Sequence, residues 1–281
     1  FVSRQLSRKQ KVIKDFKKGF LPILISVCVI CFLIMPANMS NALLLGASCL
    51  LLCFIGRVRI WHLSSFIIGG LLIVLLVVGF VMATGVGGGR AATWQHRVES
   101  FIDHDNSRPM PYQVEQSMIA IANGQVFGRG PGNSEQRNFL PHPYSDFIFS
   151  IILEEYGMIG GIILILCYLV FLLRSIRIFR ICPYAFGAFL CIGLSFTLVI
   201  QAFINMGVAV NLLPVTGVTL PLVSMGGSSI WFTSLAIGII LSVSRKVEKI
   251  EKRRKAKELV DQEDPEVENG SGSLNVAIQP S

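Results

Sequence analysis

This sequence predicts an all-α, polytopic membrane helix bundle of about six spanning helices, and three observations predict it. Hydrophobic residues make up 52% of the 281-residue chain and charged residues only 15%, against about 25% charged in an ordinary soluble domain. The mean hydropathy is +0.63. The charges also cluster, and between the clusters lie apolar runs of the length a bilayer requires.

The elements follow in chain order. Segment 1–19 is basic and polar and begins at Phe1 rather than Met. It has no signal-peptide layout, and a piece of a longer chain is expected. Three helices occupy 20–84, at 20–35, 42–56 and 64–84. The first two are short for a span, which takes about 20 apolar residues. Only Pro36-Ala37-Asn38-Met39-Ser40-Asn41 separates them, so a tight hairpin and a partly re-entrant pair both fit. A large loop, 85–146, comes next. Three more helices fall within 147–244, at 147–173, 184–206 and 226–244, with a broken apolar connection at 207–225. The tail 245–281 starts as a mixed-sign basic helix. After Leu259 it turns acidic and Gly- and Ser-containing, a composition that predicts disorder at its end.

Charge placement sets the sidedness. Segment 1–19, the Arg57/Arg59 connection, the Arg174/Arg177/Arg180 connection and the tail hold all but five of the 25 basic residues. Arg90, Arg97, Arg108, Arg129 and Arg137 are the five, and all lie in loop 85–146. The positive-inside rule then predicts both ends of the chain in the cytoplasm and loop 85–146 outside. The net charge of +8 belongs to residues flanking membrane helices, where they meet anionic lipid. A nucleic-acid partner is not expected, since no folded basic face with interleaved aromatics is present. The seven cysteines avoid the large loop, which argues against a disulfide framework. Cys28-x-x-Cys31 sits inside an apolar run without a second ligand pair and reads as packing.

Loop 85–146 is far longer than an ordinary connection, which points to function. Its opening Gly85-Val86-Gly87-Gly88-Gly89 follows an apolar helix, not a strand, so it reads as a flexible exit from the membrane. Residues 112–122 read as a helix with Tyr112, Gln116 and Ile119 on one side, stopping at Asn123-Gly124. Gly128-Arg129-Gly130-Pro131-Gly132 is a tight turn around one cation, a shape that can aim N–H groups and a guanidinium at phosphate. Asp146 ends the loop, and two readings of it stand open. One is a helix N-cap; the other is a reactive carboxylate at the membrane surface. Glu154 and Glu155 lie on the same predicted helix, roughly 12–14 Å deeper at 1.5 Å per residue, where they need partners. The histidines (His62, His96, His104, His142) have no metal-ligand spacing on one helix, and no Gly-x-Ser-x-Gly elbow or Walker motif occurs. Residues 205–229 are apolar, uncharged and broken by Pro214, Gly217, Pro221, Gly226 and Gly227. Such backbone survives at membrane depth only under protein cover or beside a wet cavity, so an inward dip competes with an ordinary apolar loop.

Five stretches, in order, resemble the SEDS family of bacterial cell-wall synthesis (shape, elongation, division and sporulation). They are Arg97-Val98-Glu99-Ser100-Phe101; Tyr112-Gln113 with Gln116-Ser117 and Ala120; and Gly124 through Gly130, with Arg129 where the family has Lys. Then come Leu140-Pro141 through Phe149 with Glu154-Glu155-Tyr156-Gly157, and Leu213 through Ser229. The resemblance covers nearly all of 20–245 and is nearer the division branch than the elongation branch. Two departures stand out: His142-Pro143-Tyr144-Ser145 replaces Glu-x-His-Thr, and Met35-Pro36-Ala37-Asn38-Met39-Ser40-Asn41 lacks an Asp found in the family.

The resemblance implies about ten helices in the full fold, of which these are the last six. It implies a glycosyltransferase that polymerises lipid II into glycan strands at the outer membrane face during division. Asp146 is the implied base for the attacking sugar hydroxyl. Arg129, Arg97, Gln116, Glu155 and Ser224 are the implied substrate contacts. A lipid-diphosphate leaving group needs positive charge or a divalent ion such as Mg or Mn. Implied partners are lipid II, the growing strand, a class B penicillin-binding transpeptidase, divisome proteins and membrane lipids. A flippase for the same precursor is the rival class, and it favours midplane charges over an acid at the outer face; a scaffold for division partners is the third.

Overall fold

A computed structural model of the chain describes residues 1–35, 37–84, 111–141 and 143–263. Among these residues the chain is helical, with no strand. In order come α1 (Val2–Arg8), a π-helical turn (Phe16–Phe20), α2 (Leu21–Ile34), α3 (Met39–Ile55), α4 (Ile60–Thr84), α5 (Tyr112–Gly124), a 3₁₀ turn (Gln136–Asn138), α6 (Ile148–Ile181), α7 (Ala185–Ala209) and α8 (Gly227–Glu263).

Among the described residues four stretches are long and apolar enough to cross a membrane: Phe16–Ile34, Ile148–Ile181, Ala185–Ala209 and Gly227–Ala256. Met39–Ile55 is a shorter apolar helix. At about 1.5 Å per residue, α3 is roughly 25 Å long and needs a thinned bilayer or local cover to span. Pro22 falls in the first turn of α2, where its missing N–H costs nothing. Asn38 caps α3 by accepting from the Asn41 N–H at 3.1 Å, so α3 has a side-chain-capped start.

Helix α7 is the centre of the bundle and packs against α1, α3, α5, α6 and α8. Its sequence explains this. Ala188, Cys191, Ile192, Ser195, Leu198, Val199, Ala202, Asn205, Met206 and Ala209 are buried, a wide stripe at helical spacing with many small residues that let neighbours approach. Its first half closes a core with Leu6, Phe20, Ile23, Leu52 and Cys53. Its last turns close a second core with Phe149, Leu153, Tyr168 and Leu220.

Segment 1–19 is more than a basic flank. Leu6 is fully buried and Ile13 nearly so, and the Ser3 hydroxyl donates to Phe189 O at 3.3 Å. The segment wedges α1 against α3 and α7 while its Lys and Arg side chains stay outside. At the other end α8 runs as one helix past Leu259 to Glu263. Its first turns expose Trp231, Phe232 and Leu235, as a lipid-facing helix does. Beyond Arg245 it is basic, and Lys252 pairs with Glu248 at 2.8 Å.

Helix α6 is two helices. Gly157 breaks it at φ 66°, ψ −168°. A Cβ on Gly161 would lie 2.5 Å from the Leu153 side chain and 3.6 Å from that of Phe149. In a straight helix Phe149 and Gly161 are about 18 Å apart along the axis. Residues 148–156 therefore fold back along the start of 158–181. The second half is long enough to span alone, and its exposed apolar stripe begins at Met158 and Ile159 and recurs at Ile162, Ile163 and Leu166. Glu154 and Glu155 are thus at the tip of the bend. The expectation that they lie deeper along one continuous helix is corrected, and the reason is a backbone break that only glycine permits.

Candidate functional site

Asp146 stands on the turn that enters α6, and that turn is pinned at three successive carbonyls. The Met225 N–H donates to Tyr144 O at 2.8 Å. The Ser224 hydroxyl donates to Ser145 O. The Asn205 amide donates to Asp146 O at 2.8 Å and also to Val218 O at 2.7 Å. Asn205 is 1% exposed and Val218 is 4% exposed, so the Val218 carbonyl has no water to fall back on. The carboxylate itself is half-buried. Its Oδ1 accepts from the Ser145 hydroxyl at 2.9 Å. Its Oδ2 faces Gly217, where an added Cβ would come within 3.7 Å.

The N-cap reading of Asp146 is corrected by this geometry. The cap position is Phe147, and no side chain caps α6. The carboxylate is therefore not spent on helix N–H groups.

The segment 210–226 is non-helical and is held from below by membrane helices. Tyr168 donates to Pro221 O, Gln201 to Thr219 O at 3.0 Å, and Asn205 to Val218 O. Side chains of α6 and α7 thus satisfy carbonyls that irregular backbone leaves open, which is the condition for such backbone beside lipid. Leu220 is fully buried and Leu222 sits at φ 66°, so the segment is tightly constrained. Replacing Asn205 with Ala strands the buried Val218 carbonyl and frees the part-buried one of Asp146, and a loss on the order of 1–3 kcal/mol is expected. Thermal unfolding of the detergent-solubilised protein reads it; an unchanged midpoint would show the turn does not depend on Asn205.

The loop segment 124–137 locks into the break in α6. The bend frees carbonyls at the end of one half-helix and N–H groups at the start of the next. Arg129 N–H donates to Glu154 O at 3.0 Å and Gly130 N–H to Glu155 O at 2.9 Å, while Met158 N–H donates to Gln125 O at 3.0 Å. Gly128, at φ 77°, passes so close that a Cβ would lie 2.2 Å from Glu155 O. The side chain of Glu154 is fully buried. It accepts from the Ser134 hydroxyl and from the N–H groups of Glu135 and Gln136, each at 3.3 Å. Glu154 needed partners; they are a hydroxyl and two backbone amides, not an arginine.

Above this, α5 turns Val114, Ser117, Ala120 and Gly124 inward. Buried Ser117 donates to Ala209 O at 2.7 Å and shares a hydrogen bond with Ser150, tying α5 to α6 and α7. The loop, the bent helix and the broken connection thus form one assembly around Asp146.

The other sequence-predicted residues fare differently. Arg129 reaches the surface and pairs with Glu135 at 2.8 Å, but its N–H, and that of Gly130, are used on α6. The turn therefore offers phosphate a guanidinium and not a nest of amides. Gln116 is half-buried on α5 at the edge of its packed face, and Glu155 is half-buried beside the clamp. Ser224 is 3% exposed, and its hydroxyl accepts from Leu220 N–H at 2.7 Å while donating to Ser145 O. The Ser224 hydroxyl, expected as a substrate contact, is buried, and its single donor is spent on orienting the Asp146 turn. Arg97 lies outside the described residues, as does His142. Asn205 and Ser117 were missed by sequence reasoning. Ser117 stood within a family-like stretch and Asn205 opened the broken segment, but each had only a lone polar group on an apolar helix face to mark a role.

Among the described residues no group of three or more His, Cys, Asp or Glu side chains could hold a metal ion. Asp146 supplies one carboxylate. That suits Mg or Mn held mostly by water and substrate phosphate rather than by a protein cage.

With this geometry in place, the class is clear. Residues 1–249 match the FtsW/RodA/SpoVE family, described as cell cycle proteins, and the chain belongs to that family of polytopic membrane proteins. Stage V sporulation protein E of Bacillus subtilis (strain 168) is 36% identical over 252 residues, covering 87% of this chain and 65% of that protein. The probable peptidoglycan glycosyltransferase FtsW of Geobacter metallireducens is 32% identical over 250 residues, covering 88% and 64%. The chain therefore spans a little under two thirds of these relatives. A chain of a solved peptidoglycan synthase complex shares the fold at TM-score 0.62 and 22% identity, over 88% of this chain and 68% of that one. A mutant of the rod shape determining protein RodA of Thermus thermophilus does so at TM-score 0.54 and 20% identity, over 87% and 64%.

Proposed function

We propose that this chain carries the catalytic half of a peptidoglycan glycosyltransferase of the division type, which polymerises lipid II at the outer face of the bacterial cytoplasmic membrane. The observation that carries it is Asp146: an accessible carboxylate, uncommitted to a helix cap, on a turn fixed at three carbonyls. In this reading both ends of the chain are cytoplasmic and loop 85–146 is outside, and the basic-residue pattern supports it.

The mechanism follows from the placement. Asp146 accepts the proton of the attacking sugar hydroxyl as that oxygen bonds the anomeric carbon of the donor sugar. The bond from that carbon to the lipid diphosphate breaks, and the diphosphate leaves with the electron pair. A divalent ion supplies charge neutralisation when bound. Arg129 supplies fixed positive charge to the same group, exchanging Glu135 for phosphate. Gln116, Glu155 and Arg97 are the remaining candidates for sugar or phosphate contacts. A class B penicillin-binding transpeptidase, divisome proteins and the surrounding lipid are the expected partners.

The test is strand formation from purified lipid II by the intact protein with its transpeptidase partner. Glycan strands support the reading. Transbilayer movement of lipid II without strands would put a flippase in its place. Replacing Arg129 with Ala should raise KM for lipid II about tenfold, the scale of one charge-assisted contact; an unchanged KM removes Arg129 from the site.

A further inference from the structure

We propose that Glu154 is a positioning residue for this site, holding the loop that carries Arg129 and Arg137 against the bend of α6. The inference rests on the glycosyl-transfer reading above.

The side chain is an acidic group with full burial and no cation against it among the described residues. A buried carboxylate is costly unless its lone pairs are filled, and here three donors fill them: the Ser134 hydroxyl and the N–H groups of Glu135 and Gln136. Gln136 opens the 3₁₀ turn Gln136–Asn138, so Glu154 meets the start of that turn with negative charge, where N–H groups are unpaired. Ser134 extends the contact: its oxygen accepts from Arg137 N–H at 3.2 Å. One carboxylate thus orders residues 134–137.

Those residues bear on the diphosphate. Glu135 is the ion-pair partner of Arg129, and Arg137 is an exposed cation on the same turn. At the other side of the loop, Arg129 N–H and Gly130 N–H are held by carbonyls 154 and 155 of the backbone. The loop therefore has two independent anchors on one short stretch of α6. The backbone anchor fixes where Arg129 starts. The Glu154 side chain fixes where its competitor Glu135, and Arg137, face it. Geometry that depends on a side chain can be removed without unfolding the backbone anchor.

The intact protein with Glu154→Gln tests this, with Ser134→Ala as the milder variant should the first fail to fold. The amide is isosteric, but its NH2 points a donor at a donor, so one of the three bonds is lost and another weakened. In hydrogen exchange, the Glu135 and Gln136 amides should exchange about tenfold faster or more, the scale of one lost buried bond. The Arg129 and Gly130 amides should keep their protection. KM for lipid II should rise about tenfold with kcat within about twofold, since the Asp146 turn is pinned elsewhere. Ser134→Ala should move both readouts in the same direction by less. Unchanged exchange at Glu135 and Gln136, or loss of protection at all four amides together, overturns the positioning role. So does a fall in kcat with KM unchanged. Absence of strands from the wild-type protein would instead defeat the glycosyl-transfer reading, and the exchange experiment would still judge the clamp.

Discussion

Asp146→Asn should abolish most strand formation while leaving the protein folded. A positioned general base contributes about 10²- to 10⁴-fold, so the polymerisation rate with purified lipid II should fall by at least about 100-fold. The same argument says what should not change. The turn is held through the carbonyls of Tyr144, Ser145 and Asp146, none of which the substitution touches. The α6 cap position is Phe147 and uses no side chain. The thermal midpoint should therefore stay close to wild type in both Asp146→Asn and Asp146→Ala. A capping role gives the opposite pattern: Asn, itself a good cap, would be tolerated, and Ala would cost about 1 kcal/mol. Strand formation retained in both variants would remove Asp146 from the chemistry.

How much of this was legible beforehand can be traced residue by residue. Asp146 was found because it ends a long loop and begins an apolar run, a position any charge pattern exposes. Its role as cap or reactive group was not readable, because the choice depends on whether α6 starts at Asp146 or two residues later. The helix start is set by carbonyl partners from Asn205, Ser224 and Met225, far off in sequence. Ser224 was legible as important but not in its role. A serine in a Pro- and Gly-broken stretch reads equally as a substrate contact or a latch, and only its burial decides.

Glu154 and Glu155 show the limit more sharply. Hydropathy runs almost unbroken from Phe147 to Leu173, so a single straight helix was the economical reading. Two adjacent acids in that run were the warning, since charge at membrane depth is expensive. The bend resolves the conflict by moving them to its tip. The basic segment 1–19 was under-read for the opposite reason. Its Lys and Arg dominate the composition, and the few apolar residues that wedge it into the bundle, Leu6 and Ile13, are too sparse to show a period. Arg97, the remaining expected contact, falls outside the described residues.

Gly157→Ala should be severely destabilising. The position has φ 66° and ψ −168°, a region essentially restricted to glycine, and forcing another residue there costs about 1–3 kcal/mol. The methyl also has nowhere to go. It would lie 2.3 Å from Val126 O and 2.5 Å from Gly128 N, both backbone atoms that cannot rotate aside. Relief requires the loop to lift, which breaks the bonds from Arg129, Gly130 and Met158 to their carbonyl partners, at about 0.5–1.5 kcal/mol each. The two effects add to several kcal/mol, comparable with the 5–15 kcal/mol of a whole domain. Two other glycines separate the causes. Gly132 has positive φ but nothing within 4 Å of an added Cβ, so Gly132→Ala should show the backbone cost alone, about 1–2 kcal/mol. Gly238 lies within α8 with nothing within 4 Å, so Gly238→Ala should be neutral or stabilising by up to about 1 kcal/mol. Size-exclusion profiles and thermal midpoints in detergent give the order: Gly238→Ala most stable, Gly132→Ala next, and Gly157→Ala largely lost from the monodisperse peak. If Gly157→Ala behaves like Gly132→Ala, the loop is not locked into the bend of α6, and the assembly that holds Asp146 and Arg129 on one frame has to be redrawn.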